Sequence, residues 1–533
     1  MGSVDWKGIG RWLRGLPPEA LAVGAGLFAM LAAFVTADPG PNYSWSSGAY
    51  GDEWYNIIDA RNLVVVGRWA TDGWDHHLVN LPYSVATAIV YAIFGTGIAQ
   101  ARLLTIGCVA VAAVGLIWTL RGVVGRVPAF VAGLAFATSG LILYYGRLAF
   151  LEDLVVLGLA MGVLTLARRE RLSIRWGVVA GLWLGIAIGS KPNSAFSAVG
   201  ILAALAAVWG WRDPAMRRWL IGVCATIAVA GLIWGVVFFL PNRDAVITDI
   251  QIWSPGKFNL SPIEIGRSFF AYFRPINSAN DSLYGVQLGG LCLLGLLSTI
   301  LIAIRRRTLS AAEARLAVAS YGWLIFGFGI LVITTYKPNR YAIPLAAPLA
   351  IVTGIGLRLA LAWLAERRAA GTTADAAAGA AGAAPNGSTA RDGATIGERA
   401  AGGRAARHGA SAILVAAVVA IAALPGLGWY ATWAPNATYT LQQINDEFAR
   451  VAPEGTRIAG NHAAQFLQGT RDSLIVTGIA NNGDWYSTGV RLYLNMDTDG
   501  PPPGVPTSAW AARHAIACVY WRGPSKECLY RVP

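Results

Sequence analysis

Leu81-Pro82-Tyr83-Ser84-Val85-Ala86-Thr87-Ala88-Ile89-Val90-Tyr91-Ala92-Ile93-Phe94-Gly95 is apolar almost throughout, yet short. A helix that crosses a bilayer needs about 20 apolar residues, and this stretch offers about 13 after its proline. Whether it crosses sets the topology of everything after it. The later apolar stretches run at approximately 101–120, 127–144, 153–167, 175–190, 195–210, 219–240, 286–304, 315–335, 341–363 and 411–430. If 82–95 stays on one side, then Arg121/Arg126, Arg168/Arg169/Arg171/Arg175, Arg212/Arg217/Arg218, Arg305/Arg306/Arg307 and Arg367/Arg368 all fall in the cytoplasm. If it crosses, every cluster flips outward, against the positive-inside rule. The first assignment wins, and with a first span at roughly Ala20 to Thr36 it gives about eleven spans. Lys7, Arg11 and Arg14 put the N-terminus in the cytoplasm.

Composition agrees with a polytopic α-helical protein of the plasma membrane. Hydrophobic residues make up 55% of the chain and charged ones 13%, against roughly 25% charged in a soluble domain. The net charge of +13 does not point to nucleic acid, because the basic residues sit in short clusters between spans rather than on one face. The first span is read as a retained anchor, too long for a signal peptide. Residues 1–430 form the membrane domain. Within it, 369–408 is Ala/Gly-rich without an aromatic residue, so it is expected to be a disordered cytoplasmic linker. Residues 431–533 are ordinary mixed sequence and predict a small α/β domain outside the membrane. Cys108, Cys224 and Cys292 lie in apolar spans and read as core. Cys518 and Cys528 flank a turn at Arg522-Gly523-Pro524-Ser525, and outside the cytoplasm they are expected to form a disulfide. No CxxC or Cys/His cluster has the spacing of a structural zinc site.

Gly51-Asp52-Glu53-Trp54-Tyr55 follows the first span on the outer side. It opens an amphipathic helix, with Trp54, Ile57, Ile58, Val64 and Val65 at near-helical spacing, suited to lie along the membrane surface. Asp52 is read as a catalytic base; an N-cap Asp52 followed by a first-turn Glu53 would look the same. The outward connections also carry isolated cations beside span mouths: Arg61, Arg147, Lys191, Lys337 and Arg340. One such cation would merely snorkel to lipid phosphate. Several together, on the side that the positive-inside rule depletes, predict a polyanion site, with Glu152 and Asp153 just after Arg147.

These residues carry a resemblance. Gly51-Asp52-Glu53 after a first span, then Gly146-Arg147-Leu148-Ala149-Phe150-Leu151-Glu152, then Lys191 ending a span, resembles the protein O-mannosyltransferase family. The aminoarabinose transferases that modify lipid A are similar in layout. Arg340-Tyr341-Ala342-Ile343-Pro344 is similar to a late Arg-Tyr-x-x-Pro element of GT-C fold enzymes. The second-loop acid matches Glu152, where the mannosyltransferases usually have Asp, and Asp153 follows it. The resemblance implies a GT-C fold and inverting transfer of a sugar from a polyprenyl-phosphate carrier to a hydroxyl of a protein, lipid or glycan. Asp52 would be the base; Arg147, Lys191, Lys337, Arg340, Tyr341 and Arg61 would hold the donor phosphate. Glu53, Glu152 or Asp153 would assist, and Trp253 and Tyr272 of the outer loop near Pro241–Gln287 would serve the acceptor. No cofactor is required; a divalent ion near Asp52 is compatible with the acids present. The alternative is a transporter or flippase of a lipid-linked or anionic substrate, which usually keeps its polar residues at mid-membrane, where this chain has few.

Overall fold

Each apolar stretch carries a helix in the computed structural model. The structure describes residues 15–39, 49–70, 76–167, 172–210, 212–253, 258–271, 289–335, 339–382, 393–460, 462–476, 484–496, 499–502, 504–522 and 525–533. In chain order the helices are α1 (Pro18–Ala32), α2 (Ala49–Val66), α3 (Leu81–Phe94), α4 (Ile98–Val124), α5 (Arg126–Ala137), α6 (Gly140–Tyr145), α7 (Leu151–Leu164), α8 (Ile174–Ser190), α9 (Ser194–Leu205) and α10 (Pro214–Trp234). They continue as α11 (Arg243–Trp253), α12 (Pro262–Ala271), α13 (Gly289–Ile304), α14 (Ala311–Ile333), α15 (Ala346–Gly382) and α16 (Gly393–Trp433). A last group comprises α17 (Thr440–Val451), α18 (Ala463–Phe466) and α19 (Thr507–Ala511).

Among the described residues, five helical segments are long and apolar enough to cross a membrane: Ile98–Val124, Pro214–Phe239, Ala311–Ile333, Arg340–Ala370 and Ala410–Asn436. Shorter apolar helices, α3 among them, pack around these. Helix α7 is buried on every side except at Met161, as expected of a helix that is apolar all round. Between α9 and α14 the backbones touch. A Cβ on Gly200 would lie 2.3 Å from the Gly322 carbonyl oxygen, and one on Gly322 would lie 2.2 Å from that of Gly200. Close approach through small residues replaces the hydrophobic drive that apolar surroundings cannot supply.

The C-terminal stretch builds a five-stranded sheet in the order β2-β1-β3-β5-β4, from β1 (Arg457–Gly460), β2 (Ser473–Val476), β3 (Leu492–Met496), β4 (His514–Arg522) and β5 (Ser525–Arg531). Strand β1 runs parallel to β2 and β3, whereas β5 is antiparallel to β3 and β4. Cys518 and Cys528 are register partners across β4 and β5 and are joined by a disulfide.

Two expectations change. Of the segment read as a disordered linker, 369–382 continues α15 and 393–408 opens α16, while 383–392 lies outside the described residues. Alanine is the strongest helix former, so a sequence unable to bury a core can still extend a helix already begun. Helix α2 does not lie with one polar face open to water: Glu53 through Asn62 are all buried. It is covered from one side by α3 and from the other by α18 and β2.

The polar side of α2 is therefore satisfied by protein. Arg61, fully buried, donates to the carbonyls of Gln468 (3.0 Å), Asp472 (2.9 Å), Leu467 (3.3 Å) and Thr470 (2.5 Å). Burial pushes its guanidinium down to about 10, which leaves it cationic at neutral pH. Asp59 accepts from the His77 backbone N–H at 2.8 Å, with the ring Nδ1 at 2.9 Å from the same oxygen. Asp38, after the first span, caps α17 by accepting from the N–H groups of Thr440 (2.8 Å) and Leu441 (3.1 Å). Replacing Arg61 with Ala leaves this set of carbonyls without a charged donor, and a lost hydrogen bond to a charged group is worth about 1.5–3 kcal/mol. Arg61→Ala is therefore expected to make the 431–533 region markedly easier to clip by limited proteolysis; wild-type resistance would show that this region is held by other contacts.

Candidate functional site

Residues 146–153 are the hub. Ala149 donates its backbone N–H to Glu53 Oε1 at 2.7 Å, bringing the N-terminal part of α2 against this loop. Glu53 is buried and is also held by Arg102, whose Nε and Nη2 lie 2.9 and 2.8 Å from its two oxygens. Arg147, also buried, donates to the carbonyls of Ala37 (2.9 Å), Asp38 (2.8 Å) and Pro39 (3.0 Å), and its guanidinium lies 4.2 Å from the Trp433 ring centre. Phe150, next along, has the Arg340 guanidinium 5.1 Å from its ring centre.

Glu152 and Asp153 occupy the first turn of α7, where the positive end of the helix dipole favours a carboxylate. Lys191 sits at the C-terminal end of α8, where Pro192 stops the helix and the dipole favours a cation. Packed side by side, α7 and α8 bring these ends together, and Lys191 Nζ lies 2.5 Å from Glu152 Oε1. Arg340 arrives from the 3-10 turn Asn339–Leu345, its Nε 3.4 Å from the same oxygen. Tyr341 lies under Lys191, with the ammonium 3.7 Å from its ring centre. Glu152, Lys191 and Tyr341 line a pocket with Asn193, Ser194 and Thr334. Asp153 points elsewhere: it is fully buried, and neither carboxylate oxygen has a hydrogen-bond partner among the described residues.

The structure thus gathers Glu53, Arg147, Glu152, Asp153, Lys191, Arg340 and Tyr341 around one loop. Arg61 is turned to the carbonyls of 467–472 instead, and Arg147 spends both terminal nitrogens on backbone carbonyls. Asp52 lies in the first turn of α2, but its side chain, that of Trp253, and the whole of Tyr272 and Lys337 lie outside the described residues. Sequence reading missed Arg102, Asp38 and Trp433. A lone arginine at the start of an apolar span, as in Ala101-Arg102-Leu103, was the available signal for the first. Among the described residues no group of three His, Cys, Asp or Glu is placed to hold a metal ion.

A bundle of apolar helices with helix-end charges converging beside a sheet-bearing C-terminal part is the architecture of a multi-pass membrane protein. Residues 82–236 match the family model of dolichyl-phosphate-mannose-protein mannosyltransferases. In fold the chain is similar to ArnT from Cupriavidus metallidurans bound to undecaprenyl phosphate (TM-score 0.59, 14% identity, covering 96% of this chain and 97% of that one). The apo state of that protein matches equally (TM-score 0.59, 15% identity, the same coverage). AglB, the archaeal oligosaccharyltransferase from Archaeoglobus fulgidus in complex with an inhibitory peptide and a dolichol-phosphate, gives a TM-score of 0.51 at 12% identity, covering 89% of this chain and 69% of that one. No curated protein sequence matches the chain. The chain resembles the GT-C polyprenyl-phosphate glycosyltransferases.

Removing Glu152 would leave Lys191 and Arg340 facing one another with their shared counter-charge gone, a change that costs about 3–5 kcal/mol at a buried pair. Glu152→Ala and Glu152→Gln are both expected to lower the thermal unfolding midpoint in detergent well below that of the wild type. Wild-type midpoints in both would show that other groups balance the two cations.

Proposed function

We propose that this chain is an integral-membrane glycosyltransferase that moves a sugar from a polyprenyl-phosphate carrier to an acceptor hydroxyl, with inversion at the anomeric carbon. The observation that carries this reading is the meeting of Lys191 and Arg340, far apart in sequence, on Glu152 at the mouth of a pocket. Two fixed cations at helix ends suit a phosphate ester, Arg by paired hydrogen bonds and Lys as a point charge. Glu152 holds them until a donor phosphate takes its place. The carriers named for the two solved proteins, undecaprenyl phosphate for ArnT and a dolichol-phosphate for AglB, support a donor of this class.

In the reaction Asp52 takes the proton of the acceptor hydroxyl as that oxygen attacks the anomeric carbon. The bond from that carbon to the phosphate oxygen breaks on the opposite face, and the electron pair leaves with the lipid phosphate. Lys191 and Arg340 stabilise the charge that gathers there. Tyr341 steadies Lys191, and Lys337, three residues before Arg340, adds a third cation. Glu53 and Arg147 set the loop geometry around Asp52, and Trp253 and Tyr272 belong to the acceptor side. The chain has about eleven spans, with the N-terminus in the cytoplasm and the 431–533 α/β domain on the outer face beside the site. A divalent ion bound by Asp52 would sharpen the nucleophile but is not required by this scheme.

Asp52→Asn should lower kcat by about 100-fold or more, the usual contribution of a general base. Lys191→Ala and Arg340→Ala should each weaken binding of undecaprenyl phosphate by at least about tenfold. Transfer at the wild-type rate in the first variant would remove the base assignment. Unchanged binding in both of the others would remove the phosphate site. Counterflow of carrier-linked sugar by the protein in proteoliposomes would favour transport instead.

A further inference from the structure

Arg102 grips two separate parts of the chain with one planar group. Its Nε and Nη2 hold the Glu53 carboxylate at 2.9 and 2.8 Å, at the start of the second turn of α2. Its Nη1 donates to the carbonyls of Val35 and Ala37, at 2.9 and 2.8 Å, where the chain leaves the first span. The side chain is fully buried, as is Glu53. The same guanidinium therefore ties the chain where it leaves the first span to the start of α2, one contact on either side of the connection between them.

We propose that Arg102 is the positioning residue of the site: it sets where the first turn of α2, and so Asp52, stands relative to the loop at 146–153. The proposal rests on the transferase reading above. Asp52 adjoins Glu53, and consecutive Cα atoms lie about 3.8 Å apart, so a shift of Glu53 carries Asp52 with it. Glu53 Oε1 also accepts from Ala149, so the clamp ties α2 to the loop that carries Glu152. A buried ion pair kept only for charge balance would need Arg102 to face Glu53 alone. Here half of the fork is turned to the other end of the connection, a task that needs several donors in one plane. Lysine keeps the charge but has no such fork, so Arg102→Lys separates charge from geometry.

The test uses the full-length protein in nanodiscs, comparing wild type, Arg102→Lys and Glu53→Gln. Hydrogen–deuterium exchange should rise at least about tenfold in both 35–39 and 53–56 for Arg102→Lys, with the Lys191 end of α8 unchanged. Undecaprenyl phosphate should bind within about twofold of wild type, while turnover with undecaprenyl-phosphate mannose falls by at least about tenfold. In an Asp52→Asn background, Arg102→Lys should cost little more, since both changes act through one group. Exchange that stays at the wild-type level, or phosphate binding and thermal stability lost in step with turnover, would overturn the assignment. Failure of the wild type to bind undecaprenyl phosphate would instead sink the transferase reading, and exchange alone would then judge the clamp.

Discussion

A guanidinium cut off from water must find oxygens for its donors or become a heavy cost to folding. Three arginines here, Arg61, Arg102 and Arg147, are fully buried; Arg61 and Arg147 find them largely on backbone carbonyls, and Arg102 divides its donors between two carbonyls and the Glu53 carboxylate. Carbonyls are left over where a helix ends or the chain turns, because the last turn of a helix has no intrahelical donors for them. Arg102 and Arg147 collect those of 35–39, just past α1, and Arg61 collects those of 467–472, just past α18. The need to solvate these cations thus decides which chain reversals sit against α2 and against the 146–153 loop. The site inherits its shape from that requirement.

Helix ends do the same for the second half of the site. The acids of α7 lie in its first turn and the lysine of α8 at its last, so each end's dipole favours the charge placed there. Side-by-side packing then turns two favourable local placements into a contact, Glu152 with Lys191, without any additional device. Arg340 joins from a 3-10 turn, a geometry that orients a side chain just before a long helix begins. The arrangement sets two cations on one carboxylate, so a phosphate of the same sign as Glu152 would find its counter-charges already placed.

Much of this was legible because membranes impose strict rules. Hydropathy located the helical stretches, and lone cations at Arg147, Lys191 and Arg340 stood out against connections otherwise poor in charge. Roles were less legible than positions. Arg147 and Arg61 look identical to Arg340 in sequence, each a single cation beside an apolar run, yet their partners lie about 110 and 400 residues away and no local pattern encodes them. The amphipathic pattern of α2 was real, but its polar side faces protein rather than water, and burial of that kind depends on the C-terminal stretch packing over it. The helical continuation at 369–382 escaped because composition reports the ability to bury a core, not the ability to extend a helix already started.

That last packing matters for how the C-terminal region is understood. Its sequence suggests no function by itself, and a sheet of this size could serve as a detachable module. The contacts argue otherwise. Asp38 caps α17 directly beside the carbonyls that Arg147 holds, and Arg61 joins α2 to the turn before β2. The fold likeness to ArnT spans 96% of this chain, so the sheet-bearing part is included in the shared architecture. A helix that carries the proposed base and packs against α3 as well as against α18 and β2 has little freedom to move alone. Displacement of the C-terminal part would have to be absorbed by α2, and through Glu53 and Ala149 by the loop where the charges meet.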